Sequence, residues 1–262
     1  MTAVVAAIGE TGARQLSVIG GLARFTLSVL QAAGRLTRAG RAVTLRVFVN
    51  QIRFTALQAI GLVALLAALL SFLIMAQSAA QLGRLGALSR IGTIMVVVVI
   101  RELGPLLTAM IVVSRSGTAI AAEMATNRVM GEVTALEAMG IDPYIYLVLP
   151  RLLGAVVSVA CLMIVFDIVA LGSGFLGASY MTGMTIDTYA RIVFKDTLAA
   201  RDIWITIAKG VTFGAAVALF CSYHGLAVSR GPTEIPQAVT RGVVGTIVAI
   251  FIMSALFVAL ST

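Results

Sequence analysis

Five charged side chains lie inside or at the edges of long apolar stretches, where an unpaired charge is costly. They are Arg101, Glu102, Asp167, Asp202 and Lys209. A charge at the centre of a lipid bilayer costs about 2.5–3.5 kcal/mol on insertion scales, so such a residue usually faces a partner or a water-filled cavity. These side chains could form ion pairs that fix a helix bundle, or line a cavity that holds an amphipathic, anionic ligand. The sequence leaves both interpretations open.

Helical spacing places these charges in the same half of the bilayer. Asp202 and Lys209 are seven residues apart, so they share a helix face. Arg101 and Glu102 are adjacent, and adjacent side chains point about 100° apart on a helix. We therefore expect one of the two to form an ion pair and the other to stay available to a ligand. Glu102 and Lys209 are the expected pair.

Two further patterns are coincidental. Residues 172–177 match G-x-G-x-x-G, but a dinucleotide site needs a strand before that motif, whereas here it ends an apolar span, which favours helix packing or a helix break. Ser173 and His224 could form a hydrolase dyad, but we expect them on opposite sides of the bilayer. The sequence contains no Walker motif and no metal-ligand spacing, so we expect neither a cofactor nor enzyme activity in this chain.

The composition indicates an integral membrane protein. The 262 residues are 60% hydrophobic and 11% charged, whereas soluble domains are about 45–50% apolar and about 25% charged. The excess of 19 Lys and Arg residues over 11 Asp and Glu residues is typical of the cytoplasmic segments of membrane proteins. Since no nucleic-acid-binding motif accompanies that excess, we expect no nucleic-acid partner.

Five stretches have the length of about 20 apolar residues that a membrane span needs. They cover approximately residues 54–76, 91–113, 146–171, 203–223 and 242–260. Twelve of the 19 Lys and Arg residues then fall on the N-terminal side of the membrane and five on the other side. The positive-inside rule therefore predicts a cytoplasmic N-terminus and a C-terminus outside.

An amphipathic helix is predicted before the first span. Its apolar face contains Val18, Leu22, Phe25, Val29 and Leu36, and its polar stripe contains Arg24, Ser28, Gln31, Arg35 and Arg38. The basic stripe favours a helix in the cytoplasmic membrane interface, and a helix packed on a protein partner is the alternative. We accordingly divide the chain into a cytoplasmic or interfacial region, residues 1–53, and a membrane domain, residues 54–262.

The longest predicted cytoplasmic loop, residues 114–144, contains a second amphipathic helix. Its apolar residues Val129, Val133, Leu136 and Met139 have helical spacing and lie among Glu132, Glu137 and Arg128. Gly140 is expected to end this helix, and Asp142-Pro143 to cap and begin the next one. A helix held between two spans can dock on another protein and carry its motion into the membrane. A connector lying on the bilayer surface is the alternative.

Several motifs closely resemble the signature of MlaE/YrbE-type permeases. They are Arg101-Glu102-Leu103-Gly104-Pro105, Ala121-Ala122-Glu123-Met124, Glu137-Ala138-Met139-Gly140-Ile141-Asp142-Pro143, Leu149-Pro150-Arg151 and Tyr223-His224-Gly225-Leu226. The resemblance covers residues from about 45 to the C-terminus and is densest between 101 and 153.

This resemblance implies the permease subunit of an ABC transporter that moves phospholipids or related lipids between the inner membrane and the outer envelope. Two permeases, as a homodimer or with a homologous permease, would bind two cytoplasmic ATPase subunits, which carry the ATP and magnesium, and an outer MCE-domain protein. The coupling helix on the ATPase would contain Glu132, Val133, Leu136, Glu137, Met139 and Gly140. Polar positions near the lipid cavity would be Arg101, Glu102, Asp202 and Lys209.

Two questions stay open at this point. Some relatives carry a STAS-like domain before the permease, and the shorter region here leaves room for a separate STAS-type small subunit. A proton-coupled secondary transporter is the alternative function, because Glu102 and Asp167 are membrane carboxylates. The motifs determine neither the lipid species nor the direction of transport.

Overall fold

The fold is a bundle of membrane-length helices. A computed structural model describes residues 20–32, 34, 45, 47–195, 197, 199–229 and 231–261, which contain no strand. Five helices are long and apolar enough to cross a membrane: α2 (Val47–Arg84), α3 (Ile91–Val129), α5 (Tyr144–Thr182), α7 (Arg201–Leu226) and α8 (Pro232–Leu260). Three shorter ones are α1 (residues 20–32), α4 (Glu132–Ala138) and α6 (Ile186–Ala190). The predicted all-α fold with five spans is confirmed.

The short helices α4 and α6 mark the two ends of the bundle. Helix α4 connects α3 to α5, so its end of the bundle is called the α4 end below. Helix α6 lies between α5 and α7, at what is called the α6 end. The buried hydroxyl of Tyr189 on α6 donates a hydrogen bond of 3.3 Å to the carbonyl of Leu171 on α5. This contact holds α6 against the bundle.

The helices run well past the predicted spans. Helix α3 continues to Val129 instead of ending near residue 113, and α5 continues to Thr182 instead of ending near 171. The predicted loop 114–144 is therefore largely helical, and it contains the expected short helix α4. Packing explains the extension of α3, because a Cβ on Gly117 would lie only 3.1 Å from Cys221 Sγ of α7.

Helix α5 is the centre of the bundle and packs most extensively against α2 and α7. Glycines make these approaches close: a Cβ on Gly177 would lie 2.4 Å from the carbonyl oxygen of Phe72 in α2. A Cβ on Gly210 of α7 would lie 2.8 Å from the Cα of Ala160 in α5. The glycine pattern at residues 172–177 lies inside α5, and it packs one helix against another as expected.

Helix α1 packs beside α5 and α7 at the α4 end. Phe25 is buried, with its ring centroid 5.5 Å from that of Tyr144 and 5.6 Å from that of Tyr223. The predicted apolar face is confirmed at Phe25 and Val29, which are both buried. The predicted positions Val18, Arg35, Leu36 and Arg38 lie outside the described residues.

Candidate functional site

An ion pair between α3 and α7 lies in the half of the bundle nearer the α6 end. Lys209 Nζ of α7 is 2.9 Å from Glu102 Oε1 of α3. The same ammonium donates a hydrogen bond of 2.6 Å to the backbone carbonyl of Arg101. The expected pairing of Glu102 with Lys209 is therefore present. Two acceptors satisfy a cation whose side chain is only 1% exposed.

A second ion pair joins the same two helices. Arg101 Nη2 is 2.7 Å from Asp202 Oδ1, and Asp202 Oδ2 accepts a hydrogen bond of 3.0 Å from the backbone N–H of Ala199. Both neighbours on α3 are therefore paired, contrary to the expectation that one would stay available. The reason is that their partners are seven residues, or about 10 Å, apart along α7. The long Arg101 side chain spans part of that separation.

Helix α3 is wound more widely where it carries these charges. Residues Ile94–Leu103 form a π-helical segment that ends immediately before Gly104. Such segments are rare and are frequently found at functional sites. A Cβ on Gly104 would lie 2.9 Å from the Phe166 ring and 3.2 Å from Asp167 Oδ1. The glycine therefore lets α5 approach α3 next to both ion pairs.

The two ion pairs are buried unequally. The α7 side chains Asp202 and Lys209 are each 1% exposed, whereas Arg101 and Glu102 on α3 are 25% and 33% exposed. Ser254 of α8 also donates a hydrogen bond of 3.3 Å to Glu102 Oε2. Charges on α7 are therefore neutralised inside the bundle by α3 side chains that stay partly exposed, and Glu102 lies beside α8.

Asp167 stands apart from both pairs. Among the described residues it takes part in no ion pair, and its buried Oδ1 has no hydrogen-bond partner. It lines a cavity of about 220 Å³ together with Asp202, Thr206 and mainly apolar side chains. The predicted set of five charges therefore divides into two ion pairs and one unpaired carboxylate that shares a cavity with Asp202.

Helix α4 is amphipathic as predicted, but of the predicted apolar face Val129 lies on α3 and Met139 is exposed. Val133 and Leu136 are buried in a cluster with Phe25 of α1, while Glu132, Glu137 and Met139 are exposed. Gly140 adopts a φ of 71°, and the N–H of Ile141 donates to the carbonyl of Leu136 at 2.9 Å. This left-handed C-terminal turn is the expected glycine stop.

The start of α5 is also as expected. The N–H of Tyr144 donates a hydrogen bond of 2.8 Å to Asp142 Oδ1, which caps the helix that follows Pro143. The loops on both sides of α4 are short, since α3 ends at Val129 and α5 begins at Tyr144. Motion of α4 would therefore be passed directly to α3 and α5.

An ion pair at the α4 end was not predicted from the sequence. Arg151 Nη2 of α5 is 2.6 Å from Glu123 Oε1 of α3. Both line a cavity of about 470 Å³ that also contacts the start of α2.

Two polar residues near the α3–α7 ion pairs, Thr206 and Ser254, were also not predicted from the sequence. Thr206 follows Asp202 by four residues on one helix face, which is a usable signal, whereas no local pattern indicates Ser254.

The Ser173 hydroxyl donates to the carbonyl of Val169 within its own helix, at 2.9 Å, so it is engaged in a local backbone contact. Among the described residues, no three His, Cys, Asp or Glu side chains are grouped as metal ligands.

The chain is similar to a family of permeases and to several named proteins. The family profile described as "Permease MlaE" matches residues 48–260. A probable ABC transporter permease protein of Rickettsia prowazekii is 34% identical over 160 residues, which are 61% of each chain. The intermembrane phospholipid transport system permease protein MlaE of Haemophilus influenzae is 32% identical over 148 residues, 55% of this chain and 56% of that one.

A more distant relative comes from a plant. The chloroplast protein TRIGALACTOSYLDIACYLGLYCEROL 1 of Arabidopsis thaliana is 29% identical over 152 residues, 58% of this chain and 43% of that protein. This chain therefore spans about three fifths, or less, of the length of the relatives it matches. The family profile covers both ion pairs, Asp167 and α4, and on that match the chain belongs to the MlaE permease family.

Proposed function

We propose that the chain is the membrane-spanning permease of an ABC transporter that moves phospholipids or related lipids between the inner membrane and the outer envelope. The main support is that two ion pairs join α3 to α7. Their α3 members, Arg101 and Glu102, stay partly exposed within a membrane-length bundle. The names of the Rickettsia and Haemophilus relatives support the same class of transporter.

A second permease would complete the lipid cavity beside α8. This helix is the least buried of the five spans, and Ser254 connects it to Glu102. Its exposed apolar side chains are Val244, Val248, Phe251, Ile252 and Leu256. Two copies of this chain, or this chain and a homologous permease, would enclose a cavity between such faces. Acyl chains would lie on the apolar residues, and the headgroup would lie near Arg101 and Glu102.

Energy would enter through α4. Its buried residues Val133 and Leu136 hold it to the bundle, while Glu137 and Met139 face away from the bundle. This division suits a helix that docks on a cytoplasmic ATPase with one face and moves the spans with the other. ATP and magnesium would be bound by that ATPase, which leaves this chain without a catalytic residue of its own.

Three further assignments belong to this proposal. The α4 end, with the N-terminus, would face the cytoplasm, in keeping with the distribution of Lys and Arg. Helix α1 would lie in the membrane interface, because Leu27 and Leu30 are 57% and 59% exposed while its opposite face is buried. The α6 end would meet an MCE-domain protein outside, and a STAS-type small subunit would be an additional cytoplasmic partner.

The proton-coupled alternative is not favoured. One of its two candidate carriers, Glu102, is already paired with Lys209, and the relatives are named as ABC transporter permeases. A carrier of that class would also need no docking helix at the α4 end.

Co-purification tests the proposal. The chain is extracted in mild detergent with the ATPase that accompanies it, and ATP hydrolysis is measured with and without added phospholipid. We expect a stable complex whose hydrolysis is stimulated by lipid. Mass spectrometry of the extracted lipid should show less phospholipid bound to Lys209→Ala than to the unchanged chain. Absence of any ATPase from the purified protein would contradict the proposal.

A further inference from the structure

The cavity beside Asp167 contains polar groups that the two ion pairs do not use. It has a volume of about 220 Å³ and lies between α5 and α7, with Phe194 from the segment after α6 at its rim. Asp202 in this cavity is already neutralised by Arg101 at 2.7 Å. Asp167 is not neutralised by any described cation, and its Oδ1 is buried without a hydrogen-bond partner. The cavity therefore contains one carboxyl group without a partner.

Thr206 is the second unsatisfied group in the cavity. Its residue is only 3% exposed, and its hydroxyl has no hydrogen-bond partner within the described chain. Buried polar atoms are nearly always hydrogen-bonded, so orphaned oxygens on two residues that line one cavity indicate an absent partner. A carboxylate only accepts hydrogen bonds, and a hydroxyl both accepts and donates. The missing partner is therefore a hydrogen-bond donor, and a cationic donor would supply the counter-ion that Asp167 lacks.

The size of the cavity limits what can enter it. Pockets for whole small molecules have volumes of about 300–1,000 Å³, so a cavity of about 220 Å³ admits only one end of a larger molecule. The rim is apolar and exposed: Ile168 is 65% exposed, and Ile203 and Phe194 are each 53% exposed. A molecule with a small donor end and long apolar chains fits both the floor and the rim.

The position of the cavity agrees with a lipid headgroup. Asp202 is the second residue of the span Arg201–Leu226, and Thr206 lies about 6 Å deeper along the same helix. The polar floor is therefore close to one end of a membrane-length helix. The exposed isoleucines at the rim continue into the apolar region of the bilayer.

From these observations we propose that the cavity binds the primary ammonium group of an aminophospholipid from the bilayer. Asp167 is the counter-ion of the ammonium, Thr206 is its hydrogen-bond partner, and the acyl chains lie against Ile168 and Ile203. This site adjoins the Arg101–Asp202 ion pair, because Asp202 lines the cavity, whereas Glu102 contacts Ser254 of α8. The inference deepens the proposed lipid function by naming a headgroup, but it requires binding alone and no transport.

Competitive lipid retention tests the inference. The purified complex is placed in nanodiscs that contain phosphatidylethanolamine and phosphatidylcholine in equal amounts and with identical acyl chains, and the retained lipid is measured by native mass spectrometry. We expect phosphatidylethanolamine to be retained in about tenfold excess, because an ammonium–carboxylate hydrogen bond forms with it and not with a trimethylated amine. Asp167→Asn should lower that excess towards one.

A matched control and a second variant make the outcome unambiguous. Asp187→Asn removes an exposed carboxylate on α6 and should keep the full excess. Thr206→Val preserves the shape of the side chain and should lower the excess even where Asp167→Asn fails to fold. Equal retention of both lipids by the unchanged chain, or an excess that neither variant lowers, overturns the inference.

Photocrosslinking locates the bound lipid. Phosphatidylethanolamine with a diazirine in one acyl chain should label peptides that contain Ile168 or Ile203. Labelling confined to α8 would contradict the site. If headgroup selectivity is present but ATP-driven transport is not, the site stands and the proposed function fails. If ATP-driven transport is present without headgroup selectivity, the proposed function stands and the inferred ammonium site fails.

Discussion

Lys209 lies with its ammonium 2.9 Å from the Glu102 carboxylate, and the lysine is 1% exposed while the glutamate is 33% exposed. The two partners of this ion pair therefore contribute unequally to stability. Loss of the carboxylate leaves a cation buried without its counter-ion. Loss of the ammonium leaves a carboxylate that still reaches the surface of the bundle.

The first prediction follows from that inequality. Glu102→Gln should lower the free energy of unfolding more than Lys209→Met, with an upper range of about 3–5 kcal/mol for a broken buried pair. Thermal unfolding of both variants in the same detergent, followed by size-exclusion chromatography, measures the difference. The double variant should recover much of the stability lost in Glu102→Gln. A larger loss in Lys209→Met would contradict this description of the pair.

The second prediction concerns the contact between α2 and α5. Gly177→Ala should lower stability by about 1–3 kcal/mol, because its Cβ would lie 2.4 Å from the Phe72 carbonyl oxygen. Gly172→Ala, in the same helix, meets no atom within 4 Å and should be neutral or slightly stabilising. Parallel melting curves of the two variants test this. Equal melting temperatures would mean that the helices do not approach so closely.

The third prediction concerns the docking of α1. Phe25→Ala removes a buried ring between Tyr144 and Tyr223, a change that costs about 3–5 kcal/mol in a packed core. The backbone amides of residues 20–32 should then exchange hydrogen faster, while those of α5 keep their protection. Leu27→Ala is the control, because Leu27 is 57% exposed. Faster exchange in the control variant alone would contradict the assigned face.

The fourth prediction addresses coupling through α4. Glu137→Lys reverses an exposed charge on the proposed ATPase face. Lipid-stimulated ATP hydrolysis by the purified complex should fall on the order of tenfold, the effect of about 1.4 kcal/mol lost from the docked interface. Asp187→Lys, an equal charge reversal at the α6 end, should leave hydrolysis unchanged. Normal stimulation in Glu137→Lys would exclude this role for the residue.

Spans and local helix signals were predictable because each depends on a short window of sequence. Apolar length identified all five spans, and Gly140 and Asp142 predicted the turn and the cap beside α4. The ends of α3 and α5 were not predictable, because contacts such as Gly117 against Cys221 extend a helix beyond its apolar window. Local spacing does not contain that information.

Among the polar residues too, some contacts were predictable from the sequence and others depend on how the helices pack. The pairing of Glu102 with Lys209 was predicted from charge and depth, but that of Arg101 with Asp202 was not, because it depends on how far a long side chain reaches across two helices. The cavity of Asp167 and Thr206 depends on the approach of α5 to α7. Only the assembled helices bring those two residues together.

Transport in proteoliposomes tests the central claim most directly. The complex of this chain with its ATPase is reconstituted, and transfer of a fluorescent phospholipid to acceptor vesicles is followed with ATP, without ATP, and with a protonophore. The proposed function predicts transfer that requires ATP and continues after the proton gradient has collapsed. Transfer that continues without ATP and stops with the protonophore would contradict it and identify a proton-coupled carrier instead.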